Sequence, residues 1–165
     1  IDQPTIDALY KASQSGVKVE LIVRGICCLI PGVKGMSDNI KVRSILGRFL
    51  EHSRVFYFHN AAEGNKLYIG SADWMPRNFL RRVEAVFPIE EPGHINSILK
   101  DLDYIISDNE SASLLKKDGS YSKVKPSSRT KIKISSQSSL IEYSKSRMNE
   151  LKTVKSAASS RKTDN

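Results

Sequence analysis

The sequence predicts an α/β fold, a mixed sheet flanked by helices and followed by an irregular basic tail. Three observations lead there. At the start a helical pattern, a glycine turn and a β-branched run succeed one another from Ile6 to Val23, the unit from which such sheets are built. Further apolar runs of strand length, among them Val55 to Phe58, Leu67 to Ile69 and Val83 to Phe87, follow between turn residues. Charge then divides the chain: residues 1–107 hold 13 basic and 12 acidic side chains, residues 108–165 hold 13 and 6. Nearly all of the net +8 therefore sits in the second part, which is rich in Ser, Lys and Thr and poor in large apolar residues. With 165 residues in all, the chain suits one domain with a real core.

Each element has its own cue. Pro4 and the spacing of Ile6, Leu9 and Tyr10 predict a helix over about 4–14, ended by Ser15-Gly16. Val17 to Val23 alternates and is β-branched, so it reads as a buried strand. Residues 24–39 hold Gly25, Pro31, Gly32 and Gly35 and form a long loop, the kind that usually carries function. Ile40 to Ile45 reads as a short strand and Gly47 to Glu51 as a helical turn. Val55 to Phe58 and Leu67 to Ile69 pair across a turn at Glu63-Gly64-Asn65. Val83 to Phe87 is closed by Pro88, and Pro92 opens a helix to about 107 whose Ile95, Ile98, Leu99, Leu102, Ile105 and Ile106 share one stripe. Both long helices are expected to pack on the sheet. Beyond 107, Tyr121 to Ile134 suggests an edge strand or extended arm, Leu140 to Leu151 a short basic helix, and Thr153 to Asn165 disorder. The expected units are thus 1–107, an irregular extension 108–152 and a disordered tail 153–165.

Composition narrows the classes of function. Cys27 and Cys28 are adjacent and alone, which gives no disulfide framework and no zinc spacing, so no metal site is read within the chain. Two free thiols suit a reducing, cytoplasmic location. No apolar run approaches membrane-spanning length and no lipidation motif occurs. The basic tail reads either as solvated terminal sequence or as a contact for polyanions. Ile1 stands in mid-pattern without an initiator Met, and the expectation is a piece of a longer protein with part of its site elsewhere.

The residues able to do phosphate chemistry gather between Leu21 and Asn78. Arg24 ends the first strand and is followed by Gly25, where backbone can approach a ligand. Its planar fork can hold a phosphate through two parallel bonds, although an ordinary surface ion pair is the plainer use. His52 lies in a His-x-Arg triplet with Arg54, and histidine is the side chain suited to proton transfer near neutral pH. A lone histidine is nonetheless more often structural, and His59 and His94 read that way. Ser71 stands in the turn Gly70-Ser71-Ala72-Asp73. Arg77 is a second phosphate clamp or a partner for Asp73 or Glu84. Trp74 reads as a packing residue and Arg81-Arg82 as a solvated helix end.

His52-Ser53-Arg54 followed by Gly70-Ser71 resembles the histidine–lysine signature of the phospholipase D superfamily, with Arg in place of Lys and Asp where Asn often follows. Longer blocks carry a more specific resemblance. IDALYKASQSGVKVELIVRGICCLIPGVKG, SDNIKVRSILGRFLEHSRVFYFHN, LYIGSADWMPRN and LRRVEAVFPI, in that order, are similar to the last, phospholipase D-like catalytic domain of bacterial polyphosphate kinases of the long-chain synthesising type. KKDGSYSKVKP and SQSSLIEY resemble that family's C-terminal extension.

The resemblance implies reversible transfer of the terminal phosphate of ATP onto inorganic polyphosphate. It implies a phosphohistidine, magnesium, and an oligomeric, multi-domain enzyme, cytoplasmic or membrane-associated through the oligomer. Arg24 then matches an arginine on the nucleotide phosphates and His52 the second-domain histidine at the nucleotide. Arg54, Ser71 and Arg77 are further candidates to line the site. The histidine that takes the phosphate and the magnesium contacts belong to a preceding domain and have no match here, so the isolated piece is expected to be inactive. Two other readings stay open: a phospholipase D-type phosphodiesterase half-site, and a non-catalytic polyanion binder. No RNA-recognition signature supports a specific nucleic-acid partner.

Overall fold

A computed structural model describes residues 2–62, 64–128 and 131–160. The helices are α1 (Gln3–Gln14), α2 (Pro76–Arg81), α3 (Pro92–Ser107) and α4 (Ser136–Ser160). The strands are β1 (Val19–Ile22), β2 (Ile40–Ile45), β3 (Val55–Ala61), β4 (Gly64–Gly70), β5 (Val86–Pro88), β6 (Ala112–Leu115) and β7 (Tyr121–Lys123). The fold is mixed α/β, as expected, but its strands form two sheets where one was predicted. One sheet runs β1-β2-β6-β7, parallel between β1 and β2 and antiparallel beyond; the other is the antiparallel meander β3-β4-β5. A tight turn joins β3 to β4 and the 71–85 connection, which holds α2, returns the chain antiparallel for β5, whereas the parallel β1–β2 pair needs the long crossover before Ile40.

Local chemistry sets the first elements. Asp2 caps α1 by accepting hydrogen bonds from Thr5 N (3.1 Å) and Thr5 Oγ1 (2.7 Å). Gly16, at φ +87°, turns the chain out of the helix. The core then forms between α1 and the first sheet: buried Leu29, Ile40 and Val42 pack with Ile6, Leu9, Val19, Leu21 and Leu115. Predicted as a buried strand, β1 is instead a half-buried edge, because β2 is its sole ladder partner among the described residues. Val17, part of that predicted strand, is half exposed and precedes the ladder.

Three other local expectations are corrected. Residues 47–51 form no helical turn. The strand expected at Val83 to Phe87 starts only at Val86, since Ser71 N bonds Ala85 O (2.9 Å) and Ala85 N bonds Ser71 Oγ (3.1 Å), which replaces the ladder there. α3 buries none of its residues fully and packs chiefly against α4, with Tyr104 and Tyr143 rings 5.9 Å apart. The β3–β4 turn closes at Ala61 and Gly64; Glu63, part of its predicted sequence, lies outside the described residues.

The segment expected to be irregular contributes real structure. β6 pairs with β2 and β7 with β6, so the first sheet continues past residue 107. Of the stretch Tyr121 to Ile134, only Tyr121–Lys123 is strand. α4 is 25 residues long and runs through 153–160, which were expected to be disordered; 161–165 lie outside the described residues. Asp108 helps to hold the two parts together. Almost wholly buried, it accepts from Ser111 N (2.7 Å) and Ala112 N (2.9 Å) at the start of β6, and from Ser136 N (2.7 Å) and Oγ (2.8 Å) at the start of α4.

Candidate functional site

The site is built where β1 and β3 meet their loops. Arg24 leaves the end of β1, and its Nη1 donates to the backbone carbonyl of Glu51. That bond brings the guanidinium to the residue next to His52, 28 positions away in sequence. The arginine is half buried, His52 exposed.

Arg54 organises the histidine. Its Nη1 donates to His52 Nδ1 (2.8 Å) and to the His52 carbonyl (2.9 Å). The same Nη1 lies 3.5 Å from Nε2, so the guanidinium faces both ring nitrogens of the imidazole. Asp73 fixes Arg54 in turn, through Nε (3.0 Å) and Nη2 (2.9 Å) to Asp73 Oδ1. Asp73, Arg54 and His52 thus form a linked series from the Gly-Ser-Ala-Asp turn to the imidazole. Arg54 is committed to that series.

Ser71 donates from Oγ to Glu84, and Asn78 Nδ2 donates to the same carboxylate (2.6 Å). These bonds, Ser71's first and then Asn78's, hold the Glu84 carboxyl below its ordinary range. Ser71 is therefore tied to Glu84. Arg77 is exposed and is the partner of neither acid, since Asp73 is held by Arg54 and Glu84 by Ser71 and Asn78. Sequence reasoning named Glu84 only as a partner for Arg77 and missed its bonds to Ser71 and Asn78; only the Gly-Ser turn and the Met-Pro-Arg-Asn start of α2 marked their neighbourhood. Trp74 does pack, its ring stacked on Phe56 at 5.0 Å.

The loop before His52 is held from a distance. Gln137, in the first turn of α4, accepts from Phe49 N (3.0 Å) and donates to Phe49 O (2.8 Å) and Glu51 Oε1 (2.6 Å). Gln137 thus bonds residues 49–51 from both sides, which is why those residues are ordered without being helical. A groove of about 690 Å³ opens beside Arg24, between the 25–30 loop and the β6–β7 hairpin. Arg24 lines this groove and His52 does not; the Arg24–Glu51 bond links the groove to the segment that carries His52. Among the described residues no cluster of His, Cys, Asp and Glu could hold a metal ion, and no helix is long and apolar enough to cross a membrane.

Comparison with known proteins shows the family of the chain. Residues 1–137 match the family profile of the polyphosphate kinase C-terminal domain 2. A polyphosphate kinase of Synechocystis sp. is 54% identical over 128 residues, covering 78% of this chain and 17% of that protein. One from Pseudomonas aeruginosa is 53% identical over 125 residues, 76% of this chain and 18% of the relative. The crystal structure of polyphosphate kinase from Porphyromonas gingivalis superposes with a TM-score of 0.83 at 34% identity, over 90% of this chain and 22% of that one. The chain thus spans about a fifth of the length of these relatives.

Proposed function

The chain belongs to the polyphosphate kinase family, bearing its C-terminal domain 2, and from that premise we propose that Arg24 and His52 serve reversible transfer of the terminal phosphate of ATP to inorganic polyphosphate. The observation that carries the reading is the Arg24–Glu51 bond, which sets a fixed cation at the residue next in sequence to a histidine that Arg54 holds. Phosphoryl transfer needs charge neutralisation and alignment more than covalent help from many side chains. In the proposed reaction the bond from the γ-phosphorus to its bridging oxygen breaks, and the electron pair leaves with ADP. A phosphorus–nitrogen bond forms at a histidine outside this chain. The terminal oxygen of polyphosphate then attacks the phosphorus, and the nitrogen regains its electron pair. Arg24 would neutralise the phosphoryl oxygens, and the His52 imidazole would give a proton or hydrogen bond to the bridging oxygen.

The share of the relatives' length that this chain covers supports assigning the acceptor histidine to another part of the protein. Magnesium, which the family resemblance implies, finds no donor cluster among the described residues, and no step is assigned to it within this chain. Homo-oligomerisation and a cytoplasmic location, with membrane association through the oligomer as a variant, belong to the same proposal. Arg24→Ala in the full-length enzyme should lower ATP-dependent polyphosphate synthesis on the order of 10²–10³-fold, the usual cost of one such donor. Arg24→Lys should recover only part of it, because an ammonium lacks the two-pronged contact. Synthesis at the unchanged rate in Arg24→Ala would remove the arginine from the reaction.

A further inference from the structure

The part of the chain with the highest positive charge is not used by Arg24 or His52. Residues 116–134 carry six lysines, one arginine and a single acid, Asp118. That acid is occupied: Asp118 Oδ1 accepts from Ser120 N (2.9 Å) and Ser120 Oγ (2.7 Å) and shapes the β6–β7 turn. Strand register then decides where the cations go. Ser44 on β2 pairs with Ser113 on β6, and Ser113 pairs with Lys123 on β7. Residues paired across a sheet share a face, so Ser44, Ser113 and Lys123 form one row. All three line the groove that Arg24 also lines, and Lys116 joins them from the hairpin turn. The Ser44 and Ser113 hydroxyls make no hydrogen bond among the described residues. Lys117 and Lys125, neighbours of these residues in sequence, are exposed.

We propose that the β6–β7 hairpin is a binding arm for the inorganic polyphosphate chain, held by Lys116 and Lys123 in the groove that starts at Arg24. The inference rests on polyphosphate being the substrate of the proposed function and adds where the chain would lie. Lys123 in line with the Ser44 and Ser113 hydroxyls, with Lys116 and Arg24 lining the same groove, suits a polymer that is phosphate throughout. Single-stranded nucleic acid would call for aromatic platforms between the charges, and Tyr121 is the one aromatic ring lining the groove.

The test is binding of inorganic polyphosphate of defined length to the full chain, measured against salt concentration. Lys116→Gln/Lys123→Gln should weaken binding and lower the slope of log affinity against log salt by about 1–2, as the loss of two phosphate contacts requires. Lys11→Gln/Lys34→Gln removes the same charge from exposed positions away from the groove and should change little. Lys116→Arg/Lys123→Arg should keep the slope, and thermal melting of each variant checks the fold. An unchanged slope in Lys116→Gln/Lys123→Gln, or an equal loss in Lys11→Gln/Lys34→Gln, would overturn the proposal. So would single-stranded DNA that competes as well as polyphosphate and depends on the same two lysines. Arg24 variants in the synthesis assay probe different residues, so failure of the proposed function and failure of this binding arm are read separately.

Discussion

His52 shows how a bare motif acquires chemistry from its neighbours. In sequence it was one histidine of three, two positions from an arginine. In the fold Arg54 holds the ring and the carbonyl of His52, Asp73 holds Arg54, and the exposed imidazole is left as the candidate donor. If that donor trades a proton, His52→Ala in the full-length enzyme should lower kcat far more than it raises the KM for ATP. His52→Gln keeps a hydrogen-bond donor but cannot titrate, and it should lose turnover in a pH-dependent way between pH 6 and 9. Near-normal turnover of His52→Gln across that range would reduce His52 to a positioning residue. Arg24 and His52 stood out as candidates because a strand-end arginine and a His-x-Arg triplet are local patterns. The fates of Ser71 and Arg54 were not, because both are decided by Glu84 and Asp73, acids brought close only by the turn and the start of α2.

At the scale of elements, Asp108 and Gln137 join the basic C-terminal part to the site. Burial alone would raise the Asp108 carboxyl, but hydrogen bonds from Ser136, Ser111 and Ala112 outweigh it and hold the group below its ordinary value. A lowered folded pKa contributes stability that is complete above the unfolded value of about 3.9 and is lost as pH falls below it. The acid limb of thermal stability should therefore be steeper in the natural chain than in Asp108→Asn. Asp108→Ala should cost at least about 2 kcal/mol at neutral pH, the scale of hydrogen bonds to a charged group. Denaturant melts at several pH values check both. Gln137→Ala should leave stability within about 1 kcal/mol, yet free residues 49–51 and lower kcat by up to about a hundredfold through misplacement of His52. Equal turnover would show that the bond network leaves the histidine unaffected. The strands Ile40 to Ile45 and the helix over 92–107 were read correctly because their patterns are local. The failure at 47–51 has a long-range cause, since Gln137 lies 86 positions beyond Glu51 and nothing local announces it.

For the whole molecule, the apparent split into a neutral fold and a basic tail dissolves. The same sheet that begins with β1 ends with β7, and α4 starts on a carboxylate from the end of α3. Charge asymmetry, plain in the sequence, suggested a boundary at 107 because composition reports polarity and says nothing of strand pairing. The family profile, which continues to residue 137, agrees with the sheet. Sequence also favoured one sheet, since strand runs reveal their existence but not their partners. The central claim is that this chain lends a cation and a proton donor to a transfer whose covalent phosphate is carried elsewhere in the protein. Incubation with γ-labelled ATP and magnesium, followed by detection of acid-labile phosphohistidine, tests it most directly. The account predicts label on the full-length enzyme at a histidine outside this chain, and none on the 165-residue chain alone. Stoichiometric label on His52 would contradict it.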